Sequence, residues 1–83
     1  MFRTRFSILA PPERKDATFF VEMPARVVVG DSVTVWPLMP VELAAQPAQA
    51  WLQNEGVFEV TSACWSRDEQ GVYLTALLFR QES

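Results

Sequence analysis

The sequence predicts a small, mostly β domain, an antiparallel barrel or half-barrel of about five strands with one short helix between strands. Three observations predict it: alternating side chains from Phe2 to Leu9, β-branched and aromatic runs from Ala17 to Trp36, and a second alternating region around Gly71. A chain of 83 residues has room for one hydrophobic core. We therefore expect residues 1–83 to form a single domain.

The first strand is predicted by a period-two pattern from Phe2 to Leu9, in which Phe2, Thr4, Phe6 and Ile8 alternate with Arg3, Arg5, Ser7 and Leu9. Because successive side chains of a strand point to opposite faces, Arg3 and Arg5 share one face. Two prolines and alternating charges follow in the segment Ala10 to Lys15. That composition predicts a surface loop.

The region from Ala17 to Trp36 contains three runs of strand-forming residues separated by two breaks. Pro24 lacks a backbone donor, so it marks a bend or an edge position. Gly30-Asp31 separates two valine-rich runs, and its glycine can adopt the positive φ of a tight turn. We expect a hairpin or a sharp corner there.

A helix is predicted between Pro37 and Gly56. Proline is favoured in the first turn of a helix and disfavoured in its interior, so a short turn should precede Pro47 and a firmer helix should run from Pro47 to about Asn54. Gly56 is suited to end it. The residues at helical spacing are Val41, Ala44, Ala48, Trp51, Leu52 and Glu55, with Glu42, Gln46, Gln49 and Gln53 on the opposite side.

The last part of the chain, Val57 to Arg80, predicts a long antiparallel hairpin. The sequence Asp-Glu-Gln-Gly at 68–71 is a four-residue loop in which Gly71 takes the left-handed conformation. Counting outwards gives one face with the pairs Arg67–Val72, Trp65–Leu74, Ala63–Ala76, Thr61–Leu78 and Glu59–Arg80. The other face carries Ser66–Tyr73, Cys64–Thr75, Ser62–Leu77 and Val60–Phe79.

The composition argues against most catalytic chemistry. The chain has no histidine, one cysteine and three glycines, so it lacks the commonest general base, a zinc-ligand pattern and a phosphate-binding glycine loop. Cys64 is interpreted as a small apolar side chain in mid-strand rather than as a nucleophile, since no histidine can activate it. We expect a protein that is not an enzyme, with no catalytic, metal or cofactor-binding residues.

Charge and hydropathy narrow the possible partners. The net charge is −3, with an excess of positive charge in residues 1–30 and of negative charge in residues 31–83. Overall acidity disfavours a general nucleic-acid binder, although a basic edge remains near the N-terminus. No apolar stretch approaches the roughly 18 to 20 residues of a membrane-spanning helix, and the N-terminal apolar stretch is too short for a signal peptide. We expect a cytoplasmic protein.

The predicted hairpin is apolar on both faces, and a single sheet in a small domain usually leaves one face in water. We therefore expect the second face of the hairpin to be covered as well, and a homodimer formed partly through sheet surface would cover it. The leading hypothesis is a self-associating interaction module that binds a protein or peptide partner. The candidate interaction surface comprises Arg3, Arg5, Arg26, Val60, Tyr73, Leu77 and Phe79. The alternative is a small β-barrel that binds single-stranded nucleic acid or a small ligand through Arg3, Arg5 and nearby aromatic residues.

Overall fold

The structure, a computed structural model, describes residues 1–54 and 57–80 and confirms the predicted mostly β half-barrel with a short helix. Five strands enclose one α-helical turn and two 3-10 segments. The elements are β1 Phe2–Ile8, β2 Ala17–Met23, β3 Ser32–Thr34, a 3-10 turn Trp36–Leu38, α1 Val41–Ala44, a 3-10 helix Pro47–Asn54, β4 Val57–Asp68 and β5 Gly71–Arg80.

The five strands form one sheet in the order β2-β1-β5-β4-β3. Three of the neighbouring pairs are antiparallel, as predicted, and β1 with β5 is parallel, so the sheet is mixed. The parallel pair puts Phe6 beside Ala76. Parallel neighbours require a crossover connection, and here the whole chain between β1 and β5 serves as that connection.

The hydrophobic core lies on the concave face of the sheet. The strands contribute the buried side chains Phe6, Ile8, Phe19, Phe58, Val60 and Leu78. The chain between β3 and β4 covers them with Val35, Met39, Trp51 and Leu52, all buried. The convex face has no such cover among the described residues, and it carries Arg3, Arg5, Phe20, Cys64 and Tyr73.

The breaks in the β-rich region lie where the sequence places them. β2 ends at Met23, directly before Pro24. Gly30 has a φ of 98°, and the Asp31 backbone N–H donates to the Val28 carbonyl at 3.0 Å. The site is a sharp corner and not a hairpin, because β3 pairs with β4 instead of with the valines before the corner.

The helical region begins at Pro47 and reaches Asn54 as predicted, but it is a 3-10 helix. A 3-10 helix has about three residues per turn, so its buried side differs from that of an α-helix. Gln49 is consequently buried beside Trp51, and the prediction that it faces away from the core is wrong. Its side-chain Nε2 donates to the Asp16 carbonyl at 3.4 Å. The predicted end at Gly56 lies outside the described residues.

Two smaller differences between the predicted and the observed structure concern Val41 and the hairpin loop. The side chain of Val41, expected on the apolar side of the helix, is exposed in α1. Asp68 pairs with Gly71, so the loop has two residues rather than four. Gly71 adopts the predicted left-handed conformation, with a φ of 116°.

The hairpin register is confirmed from Arg67–Val72 to Ser62–Leu77 and is wrong beyond it. Thr61 is an extra residue, which forms a β-bulge. A bulge places two residues of one strand against one of the other, so every later side chain changes face relative to a regular count. The pairs beyond the bulge are Val60–Leu78, Glu59–Phe79 and Phe58–Arg80, in place of the predicted Thr61–Leu78, Val60–Phe79 and Glu59–Arg80.

Candidate functional site

The seven residues predicted to form an interaction surface do not form one surface. Arg3, Arg5 and Tyr73 lie together on the convex face. The structure places Val60 in the core with no exposed area, because the bulge returns it to the concave face. On the convex face Leu77 is half-buried and Phe79 is exposed, whereas Arg26 lies in the segment between β2 and β3.

The convex cluster joins three strands around the ring of Tyr73. The Arg3 guanidinium carbon is 5.0 Å from the centre of this ring and 5.1 Å from the centre of the Phe20 ring. The Arg5 guanidinium carbon is 5.6 Å from the Tyr73 ring, and Phe20 approaches Tyr73 edge-on at 5.2 Å. Such cation–π contacts contribute about 0.5 to 1 kcal/mol each at exposed sites. From the sequence, a second element or chain is expected to cover this apolar face of the hairpin. Around Tyr73 the side chains of Arg3 and Arg5 provide that cover.

The hairpin turn holds Arg3 in place. Its two terminal nitrogens donate to Asp68 Oδ1 and to Gln70 Oε1, each at 2.6 Å. The hydrogen bond from Arg3 lowers the pKa of Asp68, and the backbone N–H of Gln70, at 2.8 Å from the carboxylate, lowers it further. A negative charge next to Arg3 reduces its attraction for phosphate. Of the two arginines, Arg5 is therefore the better placed to bind an anion.

The outer edge of β4 is only partly paired. β3 pairs with residues 57–59, and the Gly30 N–H donates to the Val60 carbonyl at 2.8 Å. Within residues 1–54 and 57–80, no strand pairs with this edge beyond Val60. We call Thr61–Asp68 along this edge the open edge. Sequence reasoning did not identify it, because the signal is the long β4 facing a three-residue β3, and neither the pairing nor the length of β3 was known.

The hairpin turn determines which backbone groups the open edge offers. Asp68 and Gly71 flank a two-residue turn, and such a flanking pair exchanges its hydrogen bonds across the hairpin. Alternation along an antiparallel strand then directs the N–H and C=O of Ala63, Trp65 and Arg67 away from β5. The open edge therefore presents the backbone of residues whose side chains lie on the concave face.

An uncovered apolar surface adjoins the open edge. Trp65 is 51% exposed, and Val28 and Val29 are 45% and 62% exposed. Together with Arg26 and Ala63 these three residues line a cleft of about 180 Å³. The core of the concave face ends here, because the segment before β3 buries its own Val27 against the sheet but leaves Trp65 in water. We call Val28, Val29 and Trp65 the apolar patch.

The structure offers little support for other chemistry among the described residues. Cys64 lies in mid-strand opposite Thr75 as predicted, and its side chain is exposed. No group of three or more acidic or cysteine side chains in residues 1–54 and 57–80 could hold a metal ion. None of the helices in this part of the chain is long and apolar enough to cross a membrane.

Comparisons with protein-family models, with curated proteins and with solved structures find no match to this chain.

Proposed function

We propose that this protein is a non-enzymatic interaction module that binds an extended segment of a protein partner by strand addition to the open edge. The observation that carries the proposal is the unpaired stretch of β4 beyond Val60, next to exposed apolar side chains. Strand addition gains affinity from main-chain hydrogen bonds and specificity from pockets for alternate side chains. The open edge offers backbone groups for the main-chain hydrogen bonds, and the cleft beside Trp65 offers a pocket for a side chain of the partner segment.

The two edges of the sheet differ in ways that favour β4. The outer edge of β2 carries the exposed Glu22 on its convex side and is followed at once by Pro24. Charges and prolines are the usual means by which proteins protect a sheet edge from pairing. The open edge has Arg67 and Asp68 only at its turn end, and the apolar Trp65 at its centre. An unprotected edge is typical of a binding site for another strand.

The charges near the apolar patch indicate the chemistry of the partner segment. Arg26 lines the cleft, and Arg67 is exposed two residues beyond Trp65 on the same face. A fitting segment is extended, places an aliphatic or aromatic side chain in the cleft, and carries an acidic residue near it.

A free thiol on the surface, that of Cys64, persists in a reducing compartment, which supports the proposed cytoplasmic location.

Selection of random peptides displayed on phage against the immobilised protein tests this proposal. We expect enriched peptides with alternating apolar residues and an acidic residue. Their binding to Arg67→Pro should be about tenfold weaker than to the matched control Arg67→Ala, because both variants lose the arginine charge and only Arg67→Pro also loses the outward N–H. Binding that is equal in the two variants would reject strand addition.

The second candidate function is the binding of single-stranded nucleic acid or a small anionic ligand on the convex face. It is supported by Arg5, which stacks on Tyr73 and forms no ion pair with any described residue. The exposed Phe20 nearby offers a ring on which a base can stack. The ion pair of Arg3 with Asp68 and the net charge of −3 weigh against it. Filter binding of a labelled oligonucleotide at low and high salt tests it, since phosphate contacts lose affinity steeply as salt rises.

A further inference from the structure

We infer that the open edge binds the open edge of a second copy of this chain, so that two five-stranded sheets join into one continuous sheet across a two-fold axis. The inference rests on the proposed function and names its partner. It also gives the homodimer expected from the sequence a specific interface. This interface is the edge of β4 and not the convex surface around Tyr73, which the arginines already cover.

The symmetry and the backbone directions together define the register. Two identical strands related by a two-fold axis pair antiparallel, and side chains of paired residues share a face in a continuous sheet. Only the backbones of Ala63, Trp65 and Arg67 point outwards, so these residues must form the hydrogen-bonded pairs. The register that uses all three places Trp65 opposite the partner's Trp65, and Ala63 opposite the partner's Arg67. It gives about six hydrogen bonds between the chains.

Neighbouring registers are poorer. A shift that centres the axis on Cys64 would bring the bulged Thr61 into the ladder, and a bulge interrupts regular pairing. A shift that centres it on Ser66 would bring in the turn residues beyond Asp68. Each alternative forms fewer hydrogen bonds than the register centred on Trp65.

The side chains in the Trp65-centred register are compatible. Arg67 lies opposite Ala63, and Asp68 lies opposite Ser62, so no two like charges are paired directly, which would be destabilising. The partner's Arg67 approaches the cleft that Arg26 lines, so this dimer depends on its backbone hydrogen bonds and apolar contacts and not on charge. The two Trp65 rings meet at the axis, and each apolar patch gains a cover from the other copy. A chain with a single small core commonly needs such an additional source of stability.

Disulfide trapping tests the register directly. Cys64 lies opposite the partner's Ser66 in a pair without hydrogen bonds, where Cα atoms are about 4.5 Å apart, within the range for a disulfide. We expect Ser66→Cys to form a covalent dimer under mild oxidation at micromolar concentration. The matched control Ser62→Cys places its thiol opposite Asp68 and should remain largely monomeric on a non-reducing gel, as should the parent chain.

The mass in solution provides the second measurement. Sedimentation equilibrium should show two chains per particle for the parent protein and for Arg67→Ala. The dissociation constant should rise by about tenfold or more for Arg67→Pro, which loses one donor in each copy. The disulfide test does not require Arg67→Pro to fold, so it decides the question if this variant is unstable.

Two results would overturn the inference. One is a parent protein with the mass of a single chain at about 100 µM, far above the concentration at which stable dimers dissociate. The other is equal cross-linking of Ser62→Cys and Ser66→Cys, which would indicate random collision. If the parent chain is monomeric while selected peptides still bind and remain sensitive to Arg67→Pro, the inference fails and the proposed function stands. If peptide binding is insensitive to Arg67→Pro, the proposed function itself fails.

Discussion

The two halves of β4 have the same partner on one side and different surroundings on the other. Val57–Val60 lies between β5 and β3, and Phe58 and Val60 there are almost fully buried. Thr61–Asp68 pairs with β5 alone, and its central Trp65 is half exposed. The comparison shows that one strand can contribute to the core at one end and leave an unpaired edge at the other.

The bulge at Thr61 lies at the boundary between the halves. The Thr61 hydroxyl donates to the Leu77 carbonyl at 3.2 Å, which occupies an oxygen of β5 beside the irregular pair. With regular pairing through this point, Val60 would face the convex side together with Phe79. The extra residue returns Val60 to the concave side. Phe58 and Val60 in the buried half therefore lie on the same face of the sheet as Ala63 and Trp65 in the open half.

The largest expected effect is the loss of Phe58 from the buried half. Phe58 is 1% exposed and packs against Trp51 with ring centres 6.3 Å apart. Phe58→Ala should lower the free energy of unfolding by about 3 to 5 kcal/mol, because it removes apolar contacts and leaves a cavity. Urea denaturation followed by tryptophan fluorescence measures this loss.

Trp65→Ala is the matched change in the open half. The exposed Trp65 has one aromatic neighbour on the concave face, Phe2, whose ring is tilted to its own with ring centres 6.4 Å apart. Its removal should cost no more than about 1 kcal/mol when measured at a concentration where the protein is monomeric. Equal losses for Phe58→Ala and Trp65→Ala would show that the two halves do not differ in the way the structure describes.

An effect smaller than that of Phe58→Ala distinguishes the backbone groups of the open half that face β5 from those that face outwards. Ser66 directs its backbone N–H towards β5, whereas Arg67 directs its own away from it. Ser66→Pro should therefore lower the free energy of unfolding by about 1 to 3 kcal/mol more than Arg67→Pro, because only the first leaves a ladder acceptor without its donor. The measurement is thermal unfolding by circular dichroism at low protein concentration. A larger loss for Arg67→Pro would reverse the assigned backbone directions and remove the basis of the proposed interface.

Much of the fold follows from local patterns in the sequence. Alternation identifies β1 and the hairpin, Pro24 and Gly30 mark the ends of runs, and Gly71 fixes the hairpin turn. These signals act over a few residues, within which the chain determines its own conformation. The pairing of β1 with β5 is not predictable in this way, because its partners lie about seventy residues apart and nothing local distinguishes parallel from antiparallel neighbours.

The candidate site shows where local reasoning stops. The predicted register paired one residue of β4 with one residue of β5 along the whole hairpin. A single extra residue at Thr61 breaks that regular pairing and changes the face on which Val60 lies. No residue type is required at such a bulge, so its position could not be predicted from local residue patterns. The open edge depends on where β3 begins. This strand starts at Ser32, opposite Glu59, directly after the corner at Gly30 and Asp31, so the chain before it does not continue along Thr61–Asp68 as a strand. Exposure of the apolar patch depends in turn on how far the chain before β3 extends over the concave face.

The smallest effect concerns the turn at the tip of the open half, where Asp68 accepts from Arg3. The hydrogen bond from Arg3 lowers the pKa of Asp68 below its usual value of about 3.9. Because the folded-state pKa is depressed, the stabilisation is fully present above the unfolded-state pKa and is lost as pH falls through the folded-state pKa. Asp68 is exposed, so the change in stability should be small. The carboxyl carbon shift of Asp68, followed by NMR during acid titration, should give a midpoint below that of a free aspartate, and Arg3→Gln should return it towards that value. An unchanged midpoint in Arg3→Gln would mean that the contact is absent in solution and that both arginines of the convex face are free to bind an anion.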